Sequence, residues 1–409
     1  MSNYHVEDVC QGGKPSWSGG EGIVPADPLI SSVLIEDLAE LEGLKPDWDA
    51  LAVRAGAPFG APAWALAWWA HLSPPKARLA VVAVRSDGEL IGLAPFYATG
   101  GLGVTELRLL SGGWASRLEI VHLPGRREEV AEATAEALFQ SDARPDLIHW
   151  EGVDAASEGP GDLSAAWPGR AHRITEESRR GAPLIDMSPP TYEDWLATKS
   201  THFRKRMRRG RRKMEEEGAV FRFADEAGLE RDLDSFCRLH SGRREGRGGS
   251  TAVSPKAMEA LLEIGRELLG CGRFRLQMID GPAGAAINAQ LYVAAGKRVA
   301  FWNAGFDESW HKHSPGILGV LATLEDAYER GETVIDLGGG EAAYKDRLRD
   351  EDRPIAWRTS YPRGPRYPLA RLRRLPGQLA RSGSQVARRT IGPDRVQQLR
   401  GSIAGRGKR

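Results

Sequence analysis

The order of predicted elements repeats along the chain. In the first half, strands at 79–84, 90–97 and 105–110 lead to a strand at 118–123, a helix at 126–140 and a strand at 146–151. In the second half, strands at 273–280, 285–294 and 298–305 lead to a helix at 315–330 and a strand at 333–337. Corresponding elements are separated by about 190 residues. Helical patterns precede each set, at 38–55 and 62–72 in the first and at 200–217, 228–246 and 254–269 in the second, where a strand at 219–224 intervenes. A short strand at 184–187 closes the first half; a short helix at 342–349 and a strand at 355–361 close the second. Strand runs alternate or are wholly apolar, the helices show a 3.6-residue period, and Asp87-Gly88 is a hairpin turn signal. This order restricts the chain to two α/β (α+β) units in tandem, each a mixed, mostly antiparallel sheet flanked by helices. The repeat is one of pattern rather than of identical residues.

The chain's 409 residues are enough for two or three domains. Lys plus Arg total 56 and Asp plus Glu 55, a formal net charge of +1 that conceals an asymmetry. From Tyr361 to Arg409 there are 13 basic residues and one acidic residue, Asp394, so the body carries a net −11 and the tail +12. The reading divides the chain into a disordered lead-in at 1–32, a first unit at 33–187, a second at 188–362 and a basic, Pro- and Gly-interrupted tail at 363–409. Three isolated cysteines, Cys10, Cys237 and Cys271, exclude a disulfide framework or a cysteine-rich zinc site. The N-terminus lacks a basic region followed by an apolar stretch, and no run reaches the about 18 apolar residues of a membrane span. The expected location is the cytoplasm, with room for a peripheral contact at the inner face of the membrane.

Chemistry concentrates near the end of the second unit. The strand Phe301-Trp302-Asn303-Ala304-Gly305-Phe306-Asp307 runs through a polar loop into Ser314-Pro315-Gly316, which opens a helix. Unpaired N–H groups and the macrodipole make such a helix start an anion site, suited to a pyrophosphate. The same pattern also serves a plain capped helix, since Ser is a good N-cap and Pro a good first residue. The next strand ends in Asp336-Leu337-Gly338-Gly339-Gly340-Glu341, followed by Tyr344-Lys345. Three glycines allow close approach of the backbone to a ligand; Asp or Glu can take a proton, and Tyr or Lys can give one. These two features lie at C-terminal strand ends, where open sheets bind ligands. The run Arg204-Lys205-Arg206-Met207-Arg208-Arg209-Gly210-Arg211-Arg212-Lys213 places eight basic side chains on a helix whose apolar face is Phe203, Met207 and Met214. It reads as a solvated helix or as a contact for nucleic acid, anionic lipid or a polyanionic ligand. His311 and His313 lack partners at metal-ligand spacing, so no metal is expected.

The second unit's element order resembles the GNAT acyltransferase fold, and its residues resemble the CelD/BcsL-type acetyltransferases, which are related to the FemAB-type aminoacyl transferases. The residues that carry the likeness are Phe203-Arg204 to Arg208-Arg209, Gly305-Phe306-Asp307, Ser314-Pro315-Gly316, Asp336 to Gly340 and Tyr344-Lys345. Trp64 to Trp69 and Gly92-Leu93-Ala94-Pro95 extend it into the first unit, so that it covers about residues 33–361. The resemblance implies transfer of an acetyl or other acyl group from acyl-CoA to an amine or hydroxyl, in cell-envelope or exopolysaccharide biosynthesis, without a metal. It places the donor at Asn303, Ala304, Gly305, Lys312, Ser314, Gly316 and Ile317, with a backbone N–H near Asn303 to Gly305 meeting the oxyanion. Asp336 or Glu341 would take the proton, Tyr344 would protonate the leaving thiolate, Lys345 would assist or hold phosphate, and His240 is a further candidate base. The usual Arg/Gln-x-x-Gly-x-Gly/Ala loop is reduced here to His311-Lys312-His313-Ser314-Pro315-Gly316, and Pro315 has no N–H. An aminoacyl-tRNA donor therefore stays open, with the basic helix as its contact. So does a non-catalytic tandem module that binds a polyanion through that helix and the tail. In the first unit only Leu123-Pro124-Gly125 approaches a phosphate loop, which marks that unit as degenerate.

Overall fold

The computed structural model describes residues 29–101, 103–244, 252–340 and 344–373. Its first strand, β1 (Ile30–Ile35), begins inside the stretch read as a lead-in, of which residues 1–28 lie outside the described residues. Helices α1 (Leu38–Gly43), α2 (Lys45–Ala55) and α3 (Pro62–Leu72) follow, so the helix expected at 38–55 is broken at Leu44, where Pro46 starts a new first turn. Next come β2 (Arg78–Ser86), β3 (Glu89–Gly101), β4 (Val104–Leu109), β5 (Val121–His122), α4 (Arg127–Gln140), β6 (Leu147–Asp154), α5 (Gly159–Ala165), β7 (Arg173–Arg180) and β8 (Pro183–Asp186). The expected hairpin is present: Asp87 and Gly88 have φ of 49° and 88°, both positive as a two-residue turn of this kind requires. The second half runs through α6 (Tyr192–Thr198), α7 (Thr201–Glu216), β9 (Val220–Phe223), α8 (Leu229–Arg244), α9 (Pro255–Leu268), β10 (Phe274–Asp280), β11 (Ala286–Ala295) and β12 (Arg298–Phe306). It closes with α10 (Pro315–Glu329), β13 (Val334–Asp336), α11 (Lys345–Leu348), β14 (Glu351–Asp352) and β15 (Ile355–Tyr361).

Two mixed sheets result, each flanked by helices, which is the fold class expected from the sequence. The first has the order β1-β2-β3-β4-β6-β15-β7, with β5 also on β3; the second has the order β9-β10-β11-β12-β13-β8-β14 when read in the same sense. Position by position the sheets correspond. Each has one parallel pair, β4 with β6 and β12 with β13, joined by a helix, and the other pairs are antiparallel. The sixth position is exchanged: β15, from the end of the chain, lies between β6 and β7 of the first sheet, while β8, from its middle, lies between β13 and β14 of the second. The strand expected at 184–187 as the close of the first unit therefore pairs in the second sheet, and the strand at 355–361 pairs in the first.

Arg117 stands at the crossing, with a positive φ of 54°. Its Nε donates to the Asp336 carboxylate of β13, its Nη1 to Asp154 of β6 at 3.0 Å, and its Nη2 to the carbonyls of Ala182 (3.3 Å) and Arg353 (2.6 Å). Those carbonyls lie one residue before β8 and two residues before β15. One guanidinium thus binds both sheets and both entering strands. The main apolar core is continuous across the same junction, passing from β2, β3 and α4 through α3, α8 and α9 to one face of β10 to β12. Trp64, Trp114 and Trp302 meet there, with ring centroids 4.5–5.8 Å apart, and Trp302 Nε1 donates to the Trp114 carbonyl at 2.7 Å. A second core lies on the other face of the second sheet, under α6, α7 and α10. After β15 the chain forms a helix at 367–373, where Ala370 is fully buried against Val104, Leu147 and Tyr361, and Arg373 donates to Glu106 at 2.6 Å. The rest of the basic tail lies outside the described residues. Among the described residues no helix is long and apolar enough to cross a membrane.

The Arg117 side chain is 14% exposed and its two carboxylate partners 9% each, so removing the cation strands buried charge. Arg117→Met should cost about 3–5 kcal/mol in urea unfolding, while Arg117→Lys should recover only part of the loss because an ammonium cannot span four acceptors in a planar fork. An unchanged unfolding midpoint for Arg117→Met would show that the junction holds without it.

Candidate functional site

Strands β12 and β13 run parallel over only three paired positions, Arg298 with Val334, Val299 with Ile335 and Ala300 with Asp336. Beyond Ala300 they separate, and the edge of β12 opens towards the gap. The register against β11 shifts between Leu291 and Tyr292, leaving Trp302 as an extra residue on β12. Bulges of this kind bend a strand and re-aim its side chains beside ligand sites. The gap holds a cavity on each face of the sheet.

On the α10 face a cavity of about 230 Å³ is lined by Gln290, Ala304, Phe306, His311, Ser314, Pro315, Gly316, Ile317, Tyr344 and Arg347. Five residues expected from sequence, Ala304, Ser314, Gly316, Ile317 and Tyr344, meet here. Asn303 and Gly305 flank Ala304 on β12 and so face the opposite side of the sheet. Lys312 is exposed in the preceding turn and does not line the cavity.

The start of α10 departs from the expected cap. Ser314 adopts a left-handed conformation (φ 60°, ψ 51°), and its hydroxyl does not cap the helix. Instead it accepts from Arg206 Nη2 of α7 at 3.0 Å, which brings the basic helix to the cavity mouth. The Ile317 N–H, expected as an anion donor, is taken by the Ser314 carbonyl at 3.0 Å. Gly316 keeps its N–H, Pro315 has none, and Arg347 lines the cavity as a further cation. A β-carbon at Gly316 would meet nothing nearer than Gln290 Nε2 at 3.9 Å, so the fold itself does not demand glycine here. Its effect is to leave the space over the helix start open.

A buried polar chain ties this first turn to the sheet. Gln290 Nε2 donates to the Gly316 carbonyl at 2.7 Å, Tyr292 Oη donates to Gln290 Oε1 at 2.6 Å, and Asn288 Nδ2 donates to Gln277 Oε1 at 3.0 Å. Burial pushes the Tyr292 phenol far above its ordinary range, so it remains a neutral donor. The polar chain and Arg206 escaped sequence reading because their partners are 26 and 108 residues away.

On the opposite face a cavity of about 180 Å³ is lined by Trp114, Ser116, Arg180, Trp302, Gly338 and Trp357, among others. His240 of α8 lies on this face of β12, 2% exposed, with Nδ1 donating to the Ala304 carbonyl at 3.1 Å. A β-carbon at Gly305 would overlap the His240 main chain, so the glycine is what lets α8 lie directly on the strand. Asp336 does not reach the α10-side cavity. Its carboxylate is bound by Arg117 and accepts from the Gly338 N–H at 2.8 Å. Lys345 is buried, and its ammonium donates to the carbonyls of Leu337 (2.7 Å), Gly338 (3.3 Å) and Gly339 (3.4 Å). Both side chains thus brace the glycine turn that walls the gap. Glu341 lies outside the described residues. Among those residues no group of three or more His, Cys, Asp or Glu is placed to hold a metal ion.

Residues 201–346, from α7 to the start of α11, match a family model described as an acetyltransferase (GNAT) domain. A comparison with curated proteins finds no match. Among solved structures, FemX is similar at 13% identity, covering 80% of this chain and 98% of that chain with a TM-score of 0.59. A conserved protein of unknown function from Bacteroides thetaiotaomicron is similar at 11% identity, with 80% and 99% coverage and a TM-score of 0.52. The C-terminal domain of a putative lysylphosphatidylglycerol synthetase from Agrobacterium fabrum is similar at 9% identity, with 81% and 95% coverage and a TM-score of 0.51. At these identities the likeness is one of fold, and it extends over both sheets. The matched segment contains the divided strands and, apart from Arg347, the lining of the α10-side cavity, whereas the opposite cavity also takes Trp114, Ser116, Arg180 and Trp357 from outside it.

Tyr292→Phe removes the donor that satisfies the buried Gln290 amide oxygen. It should lower stability by about 1–3 kcal/mol in denaturant titration, and a loss below that range would mean another donor reaches Gln290.

Proposed function

We propose that the chain is an acyltransferase that takes an acyl group from acyl-CoA and passes it to an amine or hydroxyl acceptor. The observation that carries this reading is the gap between β12 and β13, with a helix-start cavity on one face and an aromatic-walled cavity on the other. The donor's pantetheine arm fits along the open edge of β12, and its pyrophosphate fits at the Gly316 N–H, with Arg206 and Arg347 supplying the charge that a glycine-rich loop would otherwise provide. The acceptor enters from the Trp114 and Trp302 side, where the resemblance to CelD/BcsL-type enzymes makes an envelope or polysaccharide precursor the first to try.

In this reading the neutral acceptor attacks the thioester carbon, and a backbone N–H of the Asn303 to Gly305 segment receives the developing oxyanion. His240 takes the acceptor's proton, oriented by its bond to the Ala304 carbonyl. The thiolate leaves as the Tyr344 phenol protonates it. Asp336 and Lys345, spent on Arg117 and on the glycine turn, act as positioning groups.

One observation favours a second donor. Helix α7 adjoins the donor cavity, and its Lys205, Arg209 and Lys213 are exposed without an acidic partner among the described residues. An aminoacyl-tRNA, the donor of the FemAB-type relatives, would find its phosphates matched there.

Calorimetric titration with acetyl-CoA should show one site per chain, and Gly316→Glu should abolish binding by placing a carboxylate where the pyrophosphate sits. Tyr344→Phe should lower turnover by about 10²–10⁴-fold with the CoA affinity unchanged. Absence of CoA binding by the intact protein, together with salt-sensitive binding of charged tRNA, would replace the first donor by the second. Salt-sensitive binding of a polyanion with no transfer from either donor would leave a non-catalytic module.

A further inference from the structure

Where the two sheets meet, away from the donor cavity, lies another cavity of about 220 Å³. Its walls are apolar on the side of Pro58, Phe59, Ile120 and Val121, and charged on the other. Three guanidiniums reach it, from Arg117, Arg298 and Arg353, together with the carboxyls of Glu119, Asp154 and Asp336. The charges are not equally matched. Arg117 spends four of its five N–H donors on Asp336, Asp154 and two carbonyls. Arg353 is paired with Asp154 at 2.6 Å. Glu119 is partly buried, and burial raises its pKa, although it accepts from the Asp154 N–H at 3.2 Å. Arg298 has no hydrogen bond or ion pair among the described residues. It is nonetheless partly buried, with Arg353 and Arg117 as like-charged neighbours and the carboxylates of Asp336 and Asp154, both already bound by Arg117, as opposite charges beyond contact distance.

A close approach of the backbone makes room for Arg298 here. Its stem runs past Gly56, a left-handed residue (φ 62°) whose β-carbon would come within 2.9 Å of Arg298 Cδ. Burying a cation without a partner is costly, and such groups are normally paired. A planar guanidinium in an enclosed space offers two parallel donors to one planar or tetrahedral oxyanion.

We propose that this cavity is a second ligand site, taking a small molecule that carries one oxyanion, carboxylate or phosphate, on an apolar body. Arg298 binds the anion with Arg353 beside it, and Phe59, Ile120 and Val121 receive the body. The volume falls below the about 300–1,000 Å³ usual for drug-sized ligands, which sets the occupant as a compact metabolite. Because the cavity's walls come from both sheets and include the Arg117 junction, the ligand would also fasten the two halves to each other.

The full-length protein is titrated with phenylacetate and with phenyl phosphate, followed by calorimetry and thermal shift, with phenylacetamide as the uncharged control. Saturable one-to-one binding of at least one anion, and none of the amide, is expected; whichever anion binds more tightly identifies the headgroup. Arg298→Met should weaken that binding at least tenfold, whereas Gly316→Glu, which disables the donor cavity, should leave it intact. Without ligand, Arg298→Met should melt at the same temperature as the parent or higher, because it removes a partly buried cation that no carboxylate contacts directly. A lower melting temperature for Arg298→Met would make the arginine a structural element and overturn the proposal. So would equal binding of anion and amide, or no saturable binding of either anion to the parent protein.

Discussion

The bond set of Arg117 is the constraint on which the two-sheet arrangement depends. Four acceptors converge on one guanidinium: a carboxylate from each sheet and the carbonyl that precedes each exchanged strand. No other group type has the donor number and planarity to serve all four from one position. The exchange therefore becomes a fixed junction rather than two loosely crossing connections. The continuous core beneath it, with Trp64, Trp114 and Trp302 in mutual contact, joins the first sheet to one face of the second, whose other face buries a core of its own.

The candidate site inherits its shape from that junction. Asp336 ends β13, is held by Arg117, and in turn accepts from the Gly338 N–H. Lys345 closes the same turn from the other side by gathering three consecutive carbonyls. The divergence of β12 from β13 is thereby fixed by charge-assisted bonds on one strand and by the bulge at Trp302 on the other. Two of the groups that the sequence marks as proton carriers, Asp336 and Lys345, thus brace the wall of the gap. The cavity on the α10 side is lined by the expected Ala304, Ser314, Gly316, Ile317 and Tyr344 together with less conspicuous residues, among them Gln290 and Arg347.

Much of the fold was legible because it is local. The periods of 2 and 3.6, the Asp87-Gly88 turn and the strand-to-helix passage into Pro315 each depend on neighbouring residues, and each is present. The repeat predicted two mixed sheets for the same reason. What could not be read is whatever depends on distant partners. Strands β8 and β15 are short apolar runs that suit the sixth position of either sheet, and nothing local says which. Strand β7 reads Arg-Ile-Thr-Glu-Glu-Ser-Arg-Arg and, as an edge strand, lacks an apolar face, so its sequence carries no strand signal. The Ser314 cap failed because its hydroxyl had a better partner in Arg206, across 108 residues of chain. Among the site residues, motif spacing located those grouped around the start of α10, but could not show that Asp336 is tied to an arginine 219 positions earlier.

The exchanged strands bear on how such a chain is made. The Trp150 indole, in β6, donates to the Ser360 hydroxyl of β15, 210 residues later. Until the ribosome has delivered that last strand, the first sheet has an open edge at β6 and β7 has nothing to pair with. The nascent N-terminal half must therefore wait, incomplete and exposing strand edge, through synthesis of nearly the whole second half. At about 5–20 residues per second that interval is on the order of ten to forty seconds. Open edges held for that long are templates for wrong pairing, so this topology leaves the half-made first sheet open to misassembly for as long as elongation of the second half takes.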